Sequence, residues 1–309
     1  MEILRGLDRY PPEGPESVVA LGAFDGVHLG HQEVIRTAVA RARALGVRAV
    51  AATFDPHPLA VLAPAEAPPQ IVTLEERLEL IGALGPDLAV VIPFTLEFSK
   101  VEPEAFVTEI LHGRLRALEV VVGFNHTFGR GARGDARLLE ELAAPLGLRV
   151  HVTPPRVVDE VVVSSSSIRQ ALRTGDVRAA AVLLGRPYTV RGRVLQGAGR
   201  GHAVGFPTAN LQPDRPPLLA RGVYAGRARW EGGSADAVIN VGVRPTFGEG
   251  ELWVEAYLLG FSGALYGETL TLAFLARIRD EQRFPSVDAL RVRIREDVAE
   301  AVRLLDRHR

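Results

Sequence analysis

The 309-residue chain contains no cysteine, so it can form neither a disulfide framework nor a thiolate zinc site. Lysine is almost absent as well: Lys100 is the only one, and no glycine-rich loop precedes it. P-loop nucleotidases and protein kinases both place a lysine on the ATP phosphates. These two classes are therefore excluded, and any phosphoryl transfer has to use metal ions, backbone amides and arginine.

Long apolar runs and an excess of one charge are also missing. No run of about 18 apolar residues occurs, so no transmembrane helix is expected. The formal net charge is −1, which gives no basic field for nucleic acid or an anionic membrane. The first ten residues carry several charges and no apolar segment typical of a signal peptide. We expect a soluble cytoplasmic protein without nucleic-acid or membrane partners, whose oligomeric state the sequence leaves open.

The first part of the chain alternates short apolar strands with amphipathic helices. This pattern predicts a parallel sheet covered by helices on both faces. In such sheets ligands bind beyond the carboxyl ends of the strands, so the loops after Leu21, Phe54 and Val122 should line one site. The predicted strands are 18–21, 47–54, 88–92, 120–122 and 149–152, and the predicted helices are 32–45, 73–84, 103–115 and 135–146.

The pattern changes near Gly185, where short strands separated by Gly and Pro turns begin. They predict a small β-barrel or sandwich. An amphipathic helix over 286–305 closes the chain. At roughly 100–200 residues per domain, we expect two domains, 1–184 and 185–309. The predicted strands of the second domain are 190–194, 222–226, 237–241, 253–258 and 269–274.

A Gly/His loop follows the first apolar strand and opens a helix. His28 and His31 lie three residues apart with Gly30 between them, so both imidazoles can face an anion at the helix N-terminus. Gly30 allows close approach of a phosphate. The alternatives are a metal pair or two histidines satisfied within the fold. The loop residues that we expect to contact the nucleotide are Gly22, Phe24, Asp25, Gly26 and Gly30.

A serine-rich element lies at a second strand-to-helix junction. Ser164 and Ser165 can cap the helix and bind phosphate, with Arg169 one turn further on. By itself this element is better explained as a plain helix cap.

Together, the H-x-G-H loop and the S-S-x-x-I-R element resemble the nucleotidylyltransferase superfamily. The segments F-D-P-H-P (54–58) and G-F-N-H-T-F-G (123–129) resemble its flavin-adenylating branch. The resemblance implies a Rossmann-like domain in which the FMN phosphate attacks the α-phosphorus of ATP. It assigns stabilisation of the α-phosphate to His28 and His31, the β- and γ-phosphates to Ser164, Ser165 and Arg169, and FMN to Asn125 and Phe128.

The segment G-F-P-T-A-N-L (205–211) is the strongest in the second domain. Thr208 and Asn210 are two residues apart, so on an extended chain both side chains project the same way. Their oxygens are of the kind that Mg²⁺ accepts. The alternative is a turn with a buried asparagine.

Further segments follow in order, including G-V-Y-A (222–225), V-E-A-Y (254–257) and R-D-E-Q-R-F (279–284). The series resembles riboflavin kinase, a β-barrel domain, and the whole chain resembles the bacterial bifunctional riboflavin kinase/FAD synthetases. The resemblance implies that Gly205, Pro207, Thr208 and Asn210 hold ATP with Mg²⁺, that Arg279 lies beside the flavin, and that Glu255 is the general base.

The implied reactions convert riboflavin and ATP into FMN and ADP, then FMN and ATP into FAD and pyrophosphate. Three positions depart from the family pattern: Phe124 stands where an acidic residue is typical, His202 where arginine is usual, and Tyr257 where histidine is frequent. Two alternatives therefore stay open, a member with one site decayed and a non-catalytic flavin- or nucleotide-binding regulator.

Overall fold

The computed structural model describes residues 1–11, 13–196, 205–243 and 252–306. Its contacts divide the chain into two compact units, Met1–Ser165 and Ser166–Arg309. The expected functional boundary near residue 184 stays a prediction.

The first unit is built on a fully parallel six-stranded sheet in the order β1-β4-β3-β2-β5-β6. Alternate residues of β2 enter two separate cores, Val19 and Leu21 on one face and Val18 and Ala20 on the other. The sheet is therefore covered on both faces, as the near-continuous apolar strands predicted. The strands are β1 (Glu2–Arg5), β2 (Ser17–Leu21), β3 (Arg48–Asp55), β4 (Leu88–Pro93), β5 (Ala117–Gly123) and β6 (Arg149–Thr153).

The helices of this unit start and stop at recognisable signals. His28 caps the first helix, and Gly46 ends it in the left-handed conformation at φ 69°. The third helix begins with a capping box formed by Thr73 and Glu76. The helices are α1 (Leu29–Leu45), α2 (Pro58–Leu62), α3 (Leu74–Gly82), α4 (Pro103–Ala105), which continues as a π-helix (Phe106–Arg114), and α5 (Ala136–Ala143).

The strand order fixes where a ligand can bind in this unit. From β2 the chain moves outward through β3 and β4 on one side, and then crosses to β5 and β6 on the other. The strand order reverses between β2 and β5. The loops that follow these two neighbouring strands run in opposite directions and leave a crevice between them. The loop after Leu21 and the loop after Gly123 flank this point.

After β6, a short hairpin of β7 (Val157–Val158) and β8 (Val161–Val162) leads to α6 (Ser165–Thr174) and α7 (Val177–Leu184). The hairpin, α7 and the edge strand β1 were not predicted. Helix α7 belongs to the second unit and contacts its strands β9 and β14.

The second unit contains a closed antiparallel barrel in the order β10-β13-β12-β11-β14-β9. Its interior holds alternate residues of each strand, among them Val254 and Ala256, both fully buried. Helix α8 (Val287–Asp306) packs on the outer face of β11, β12 and β14. The strands are β9 (Tyr188–Leu195), β10 (Ala209–Pro213), β11 (Gly222–Trp230), β12 (Gly233–Val243), β13 (Leu252–Leu258) and β14 (Thr269–Arg279).

Candidate active sites

The two histidines of the first loop lie together at the N-terminus of α1. Nδ1 of His28 accepts a hydrogen bond of 3.2 Å from the backbone N–H of His31. The rings are stacked with centroids 3.5 Å apart, and the ring of Phe24 meets His31 edge to face at 5.4 Å. The sequence-predicted pair is thus brought together at the positive end of a helix dipole, a position that favours an anion.

The turn that leads into these histidines has an unusual backbone. Phe24 and Val27 adopt positive φ angles of 52° and 41°, and Gly26 has φ 83°. Left-handed backbone at a β-branched residue such as Val27 persists only where surrounding contacts hold it. Gly22 lies directly under the Phe24 ring, because a Cβ at position 22 would come within 2.8 Å of that ring.

Asp25 and Ser165 tie this turn to neighbouring segments. The Asp25 carboxylate accepts the backbone N–H of Ile71 at 3.0 Å, and the Ser165 hydroxyl donates to the Asp25 carbonyl oxygen at 3.0 Å. The H-x-G-H loop and the serine-rich element are therefore joined by a direct hydrogen bond. Asp25 and the Ser165 hydroxyl hold the turn in place, whatever their part in nucleotide binding.

Gly30 allows the His28 ring to pack closely against the backbone. A Cβ at position 30 would lie 3.3 Å from both Cε1 and Nδ1 of the His28 ring. Ser164 immediately precedes α6, and Arg169 is buried four residues into that helix, in the second compact unit.

An aromatic cavity of about 150 Å³ lies beside the carboxyl ends of β3, β4 and β5. Phe128 is buried in its wall, with its ring 5.5 Å from that of Phe106. Asn125 and Phe124 are exposed on the same loop. Pro58 of the F-D-P-H-P segment also lines the cavity. The other aromatic residues of the wall are Phe54, Phe94, Phe98 and Phe106.

The half-buried His126 ring stacks on Phe128 with the ring centroids 6.0 Å apart, and burial lowers the pKa of His126 to about 4. His126 is therefore neutral at physiological pH.

Arg77 of α3 is a charged residue of this region that the sequence did not reveal. It is 3% exposed and donates to the carbonyl oxygens of Ala23 and Phe54 at 2.8 and 2.9 Å. Burial lowers its pKa, against the opposing effect of Asp25 and Asp55. In the sequence Arg77 stands among other charged helix residues, so no local signal distinguishes it.

In the barrel, the predicted residues form one row across three strands. Asn210 of β10 pairs directly with Glu255 of β13, which in turn pairs with Asn240 of β12. Directly paired residues of antiparallel strands project to the same face. Because Val254 and Ala256 fill the interior, the row lies on the outer face of the barrel.

Trp253 orients Asn210 within this row. Its indole N–H donates to Oδ1 of Asn210 at 3.2 Å, and Asn210 is only 7% exposed. An indole is a donor only, so this contact settles which atom of the carboxamide faces Trp253.

The segment before β10 approaches the row from its end. Gly205 and Pro207 are exposed and Thr208 is half-buried. The Phe206 ring meets Tyr257 edge to face at 5.3 Å, so the tyrosine at this departure from the family pattern packs against the P-T-A-N segment.

The contacts of Arg279 are with residues outside this row. Its guanidinium forms an ion pair with Asp297 of α8 at 2.8 Å, and Asp297 is 2% exposed. Arg279 also lies over the Phe284 ring at 5.6 Å. It fastens the end of β14 to the terminal helix.

Among the residues that the structure describes, no group of three or more His, Asp or Glu side chains could hold a metal ion. Over the same residues, no helix is long and apolar enough to cross a membrane. His202, the remaining departure from the family pattern, lies outside the described residues.

Comparisons with known proteins identify both halves of the chain. A family model for FAD synthetase matches residues 11–167, and one for riboflavin kinase matches residues 184–305. The bifunctional riboflavin kinase/FMN adenylyltransferase of Pseudomonas fluorescens is 36% identical over 302 residues, covering 97% of each chain. The protein of the same name from Bacillus subtilis is 36% identical over 297 residues, covering 94% of this chain and 93% of its own.

A crystal structure of a Streptococcus pneumoniae protein described as a macrolide-efflux protein is also similar. It is 31% identical with a TM-score of 0.87, over 97% of this chain and 98% of that one. Sequence and fold similarity thus both extend over nearly the whole length.

Proposed function

The chain belongs to the family of bifunctional riboflavin kinases/FMN adenylyltransferases, and from this premise we propose which residues carry each of its two reactions. The chain phosphorylates riboflavin with ATP to give FMN and adenylylates FMN with a second ATP to give FAD. The products that accompany them are ADP in the first step and pyrophosphate in the second.

For adenylylation, the FMN phosphate oxygen attacks the α-phosphorus of ATP. The bond from that phosphorus to the bridging oxygen breaks, and pyrophosphate leaves. No protein nucleophile is needed, so the chain contributes pre-placed donors for the charge that develops on the α-phosphate. His28 and His31 take this role, supported by their stacked arrangement at the start of α1.

Ser164 and Ser165 bind the β- and γ-phosphates, and the role of Arg169 at the same phosphates stays a prediction. Because the Ser165 hydroxyl already donates to Asp25, its contact with phosphate comes from the backbone N–H at the start of α6. Gly22, Phe24, Gly26 and Gly30 shape the turn over which the nucleotide lies, while Asp25 holds that turn in position.

The aromatic cavity receives the apolar edge of the FMN isoalloxazine ring. Phe128 in the cavity wall packs against the isoalloxazine ring. Asn125, exposed on the same loop, forms a hydrogen bond with a polar edge of that ring. Phe124 at 45% exposure supplies no carboxylate here, so flavin recognition at this loop depends on Asn125.

For the kinase step, Glu255 accepts the proton of the riboflavin 5′-hydroxyl as its oxygen attacks the γ-phosphorus, and ADP leaves. The observation that carries this assignment is the row of Asn210, Glu255 and Asn240 on adjacent strands. Gly205 and Pro207 hold the chain that presents Thr208 to the nucleotide. Arg279 acts at the flavin side by fixing the end of β14.

Mg²⁺ is the metal that these residues fit. Thr208 and Asn210 offer a hydroxyl and a carboxamide oxygen. These suit a hard cation for which water and phosphate oxygens supply most of the ligands. Trp253 fixes the orientation of the carboxamide oxygen of Asn210 by donating to it. The ion would neutralise phosphate charge during the transfer. A cytoplasmic location and the absence of nucleic-acid and membrane partners stay predictions.

A chromatographic time course tests the proposal. The protein is incubated with ATP and Mg²⁺ and given either riboflavin or FMN. We expect FMN and then FAD from riboflavin, FAD and pyrophosphate from FMN, and loss of both reactions in excess EDTA that Mg²⁺ reverses. Reactions that continue at full rate in EDTA would contradict the metal assignment. A stop at FMN would contradict the N-terminal site, and untouched riboflavin the barrel site.

A further inference from the structure

Arg77 has contacts that a purely structural helix residue does not need. Its guanidinium is buried at the carboxyl edge of the sheet. Nε of Arg77 makes no hydrogen bond with any of the described residues. A buried, incompletely bonded arginine lowers stability relative to an apolar side chain of similar length. Stability of the unit therefore does not account for an arginine at this position.

Nη1 of Arg77 joins two loops that belong to different parts of the adenylylation site. It donates to Ala23 O at 2.8 Å, to Phe54 O at 2.9 Å and to Oγ1 of Thr53 at 3.1 Å. Ala23 begins the turn that ends at His28, and Phe54 lines the aromatic cavity. The Thr53 hydroxyl donates to the same Ala23 oxygen at 2.9 Å and so completes the bridge.

The segment that carries Arg77 holds the turn at a second point. The N–H groups of Ile71 and Val72 donate to the Asp25 carboxylate at 3.0 and 3.4 Å. Phe24, between the two anchored residues, is one of the left-handed residues of the turn. Such backbone needs contacts from outside the turn to persist. Residues 71–77 supply them on both sides of Phe24.

We propose that Arg77 is a positioning residue for FMN adenylylation: it holds the turn bearing His28 and the wall of the flavin cavity in one fixed relation. Both substrates then meet at the distance that in-line attack requires, and a displacement of about 1 Å costs on the order of a hundredfold in rate. The proposal rests on the adenylyl-transfer role assigned to His28 and to the aromatic cavity.

The test compares Arg77→Met and Arg77→Lys with wild type in both reactions. Arg77→Met should lower kcat for FAD formation from FMN by about a hundredfold and raise KM for FMN. Arg77→Lys keeps a buried cationic donor and should recover part of the rate. Riboflavin phosphorylation, carried by the barrel, should stay within about twofold in both variants. Arg137→Met, at an arginine whose side chain is 85% exposed, is the matched control and should change neither reaction.

A double-mutant cycle distinguishes positioning from a general effect on stability. If Arg77 acts through the turn, Arg77→Met should lower FAD formation much less in a His28→Ala background than in wild type. Equal losses in both backgrounds, or wild-type FAD formation by Arg77→Met, would overturn the proposal. If Arg77→Met shows no cooperative unfolding of its first unit, Thr53→Val replaces it. This variant removes the bridging hydroxyl at constant shape and should lower kcat for FAD formation by about tenfold; an unchanged kcat would overturn the proposal.

Failure of the underlying function gives a different result. If wild-type protein forms no FAD, or if His28→Ala alone forms FAD at the wild-type rate, the site assignment is wrong. If both behave as expected and only the Arg77 variants do not, the positioning role is wrong.

Discussion

The two units hold their candidate sites in different ways. In the first unit the proposed catalytic histidines follow a turn beyond the end of a strand, and side chains from distant segments hold that turn. In the barrel the proposed base lies within a strand, and its neighbours Asn210 and Asn240 are fixed by strand register. One geometry depends on a few buried polar contacts and the other on the sheet itself.

This difference predicts different sensitivities. A site held by backbone pairing tolerates loss of one side chain without moving the rest, because the ladder hydrogen bonds remain. A site on a left-handed turn loses its geometry when a supporting contact is removed. Because both reactions occur in one chain, each serves as the internal control for the other.

The largest expected effect is in the barrel. Glu255→Gln removes the proposed base at nearly constant shape, so riboflavin phosphorylation should fall by about 10²- to 10⁴-fold. FAD formation from added FMN should not change. Rates are measured chromatographically with each substrate in turn. Glu231→Gln, at an exposed glutamate after β11, is the control. A loss of less than tenfold would show that metal charge and positioning carry the step without this carboxylate.

The reciprocal effect should appear in the first unit. His28→Ala removes a donor to the developing α-phosphate charge and also the cap of α1. FAD formation should fall by about 10²- to 10³-fold, and FMN should accumulate from riboflavin. Asp135→Ala is a matched control, because Asp135 likewise accepts a backbone N–H at the start of a helix, α5. Equal losses in the two variants would assign the effect to capping.

A smaller effect should follow from Trp253→Phe. Phenylalanine keeps an aromatic ring but loses the indole N–H and with it the hydrogen bond to Asn210, so the carboxamide is no longer fixed. We expect KM for ATP with Mg²⁺ in the kinase reaction to rise by about tenfold and FAD formation from FMN to stay unchanged. Titration of Mg²⁺ against kinase rate measures the shift. Trp230→Phe, at the end of β11, is the control. An unchanged Mg²⁺ dependence would mean that strand register alone orients Asn210.

Local patterns in the sequence were sufficient to predict much of the structure compared above. Strand periodicity predicted the parallel sheet, and the change of pattern near Gly185 predicted the barrel. The capping of α1 by His28 and the pairing of the two histidines follow from residues close together in the chain. Family resemblance, not periodicity, supplied the role of Glu255.

Long-range contacts account for what the sequence did not reveal. Strand β10 is short and ends at Pro213, so its pairing, and with it the row through Asn210, has no local signal. Arg77 reaches Ala23, 54 residues away in the chain. The Asp25 carboxylate accepts from Ile71, 46 residues away. The spacing of residues within a motif carries no information about such partners.

The last prediction concerns pH and a feature of the first unit alone. Glu119 of β5 is 3% exposed and accepts two hydrogen bonds of 2.7 Å from Arg41 of α1, with Arg149 and His151 of β6 also in contact. The hydrogen bonds from Arg41 are the main cause that lowers the pKa of Glu119 from 4.5 to about 2. A carboxylate whose pKa is lowered in the fold stabilises the fold at any pH above its pKa in the unfolded chain. This stabilisation is lost as the pH falls from about 4.5 towards 2.

The stability of the first unit should therefore fall in two distinguishable ranges of pH. His126 is neutral in the fold with a pKa near 4 against 6.5 when unfolded, so stability also falls as the pH drops from 6.5 to 4. Both tryptophans of the chain lie in the barrel, and their fluorescence reports that unit. The midpoint of urea unfolding is measured with two probes as the pH is lowered. We expect the midpoint measured by far-ultraviolet circular dichroism to fall at a higher pH than the midpoint measured by fluorescence. Glu119→Gln should flatten only the lower range. If the slope there persists in Glu119→Gln, other carboxylates govern the acid stability of the first unit, and its dependence on buried polar contacts is weaker than the structure implies.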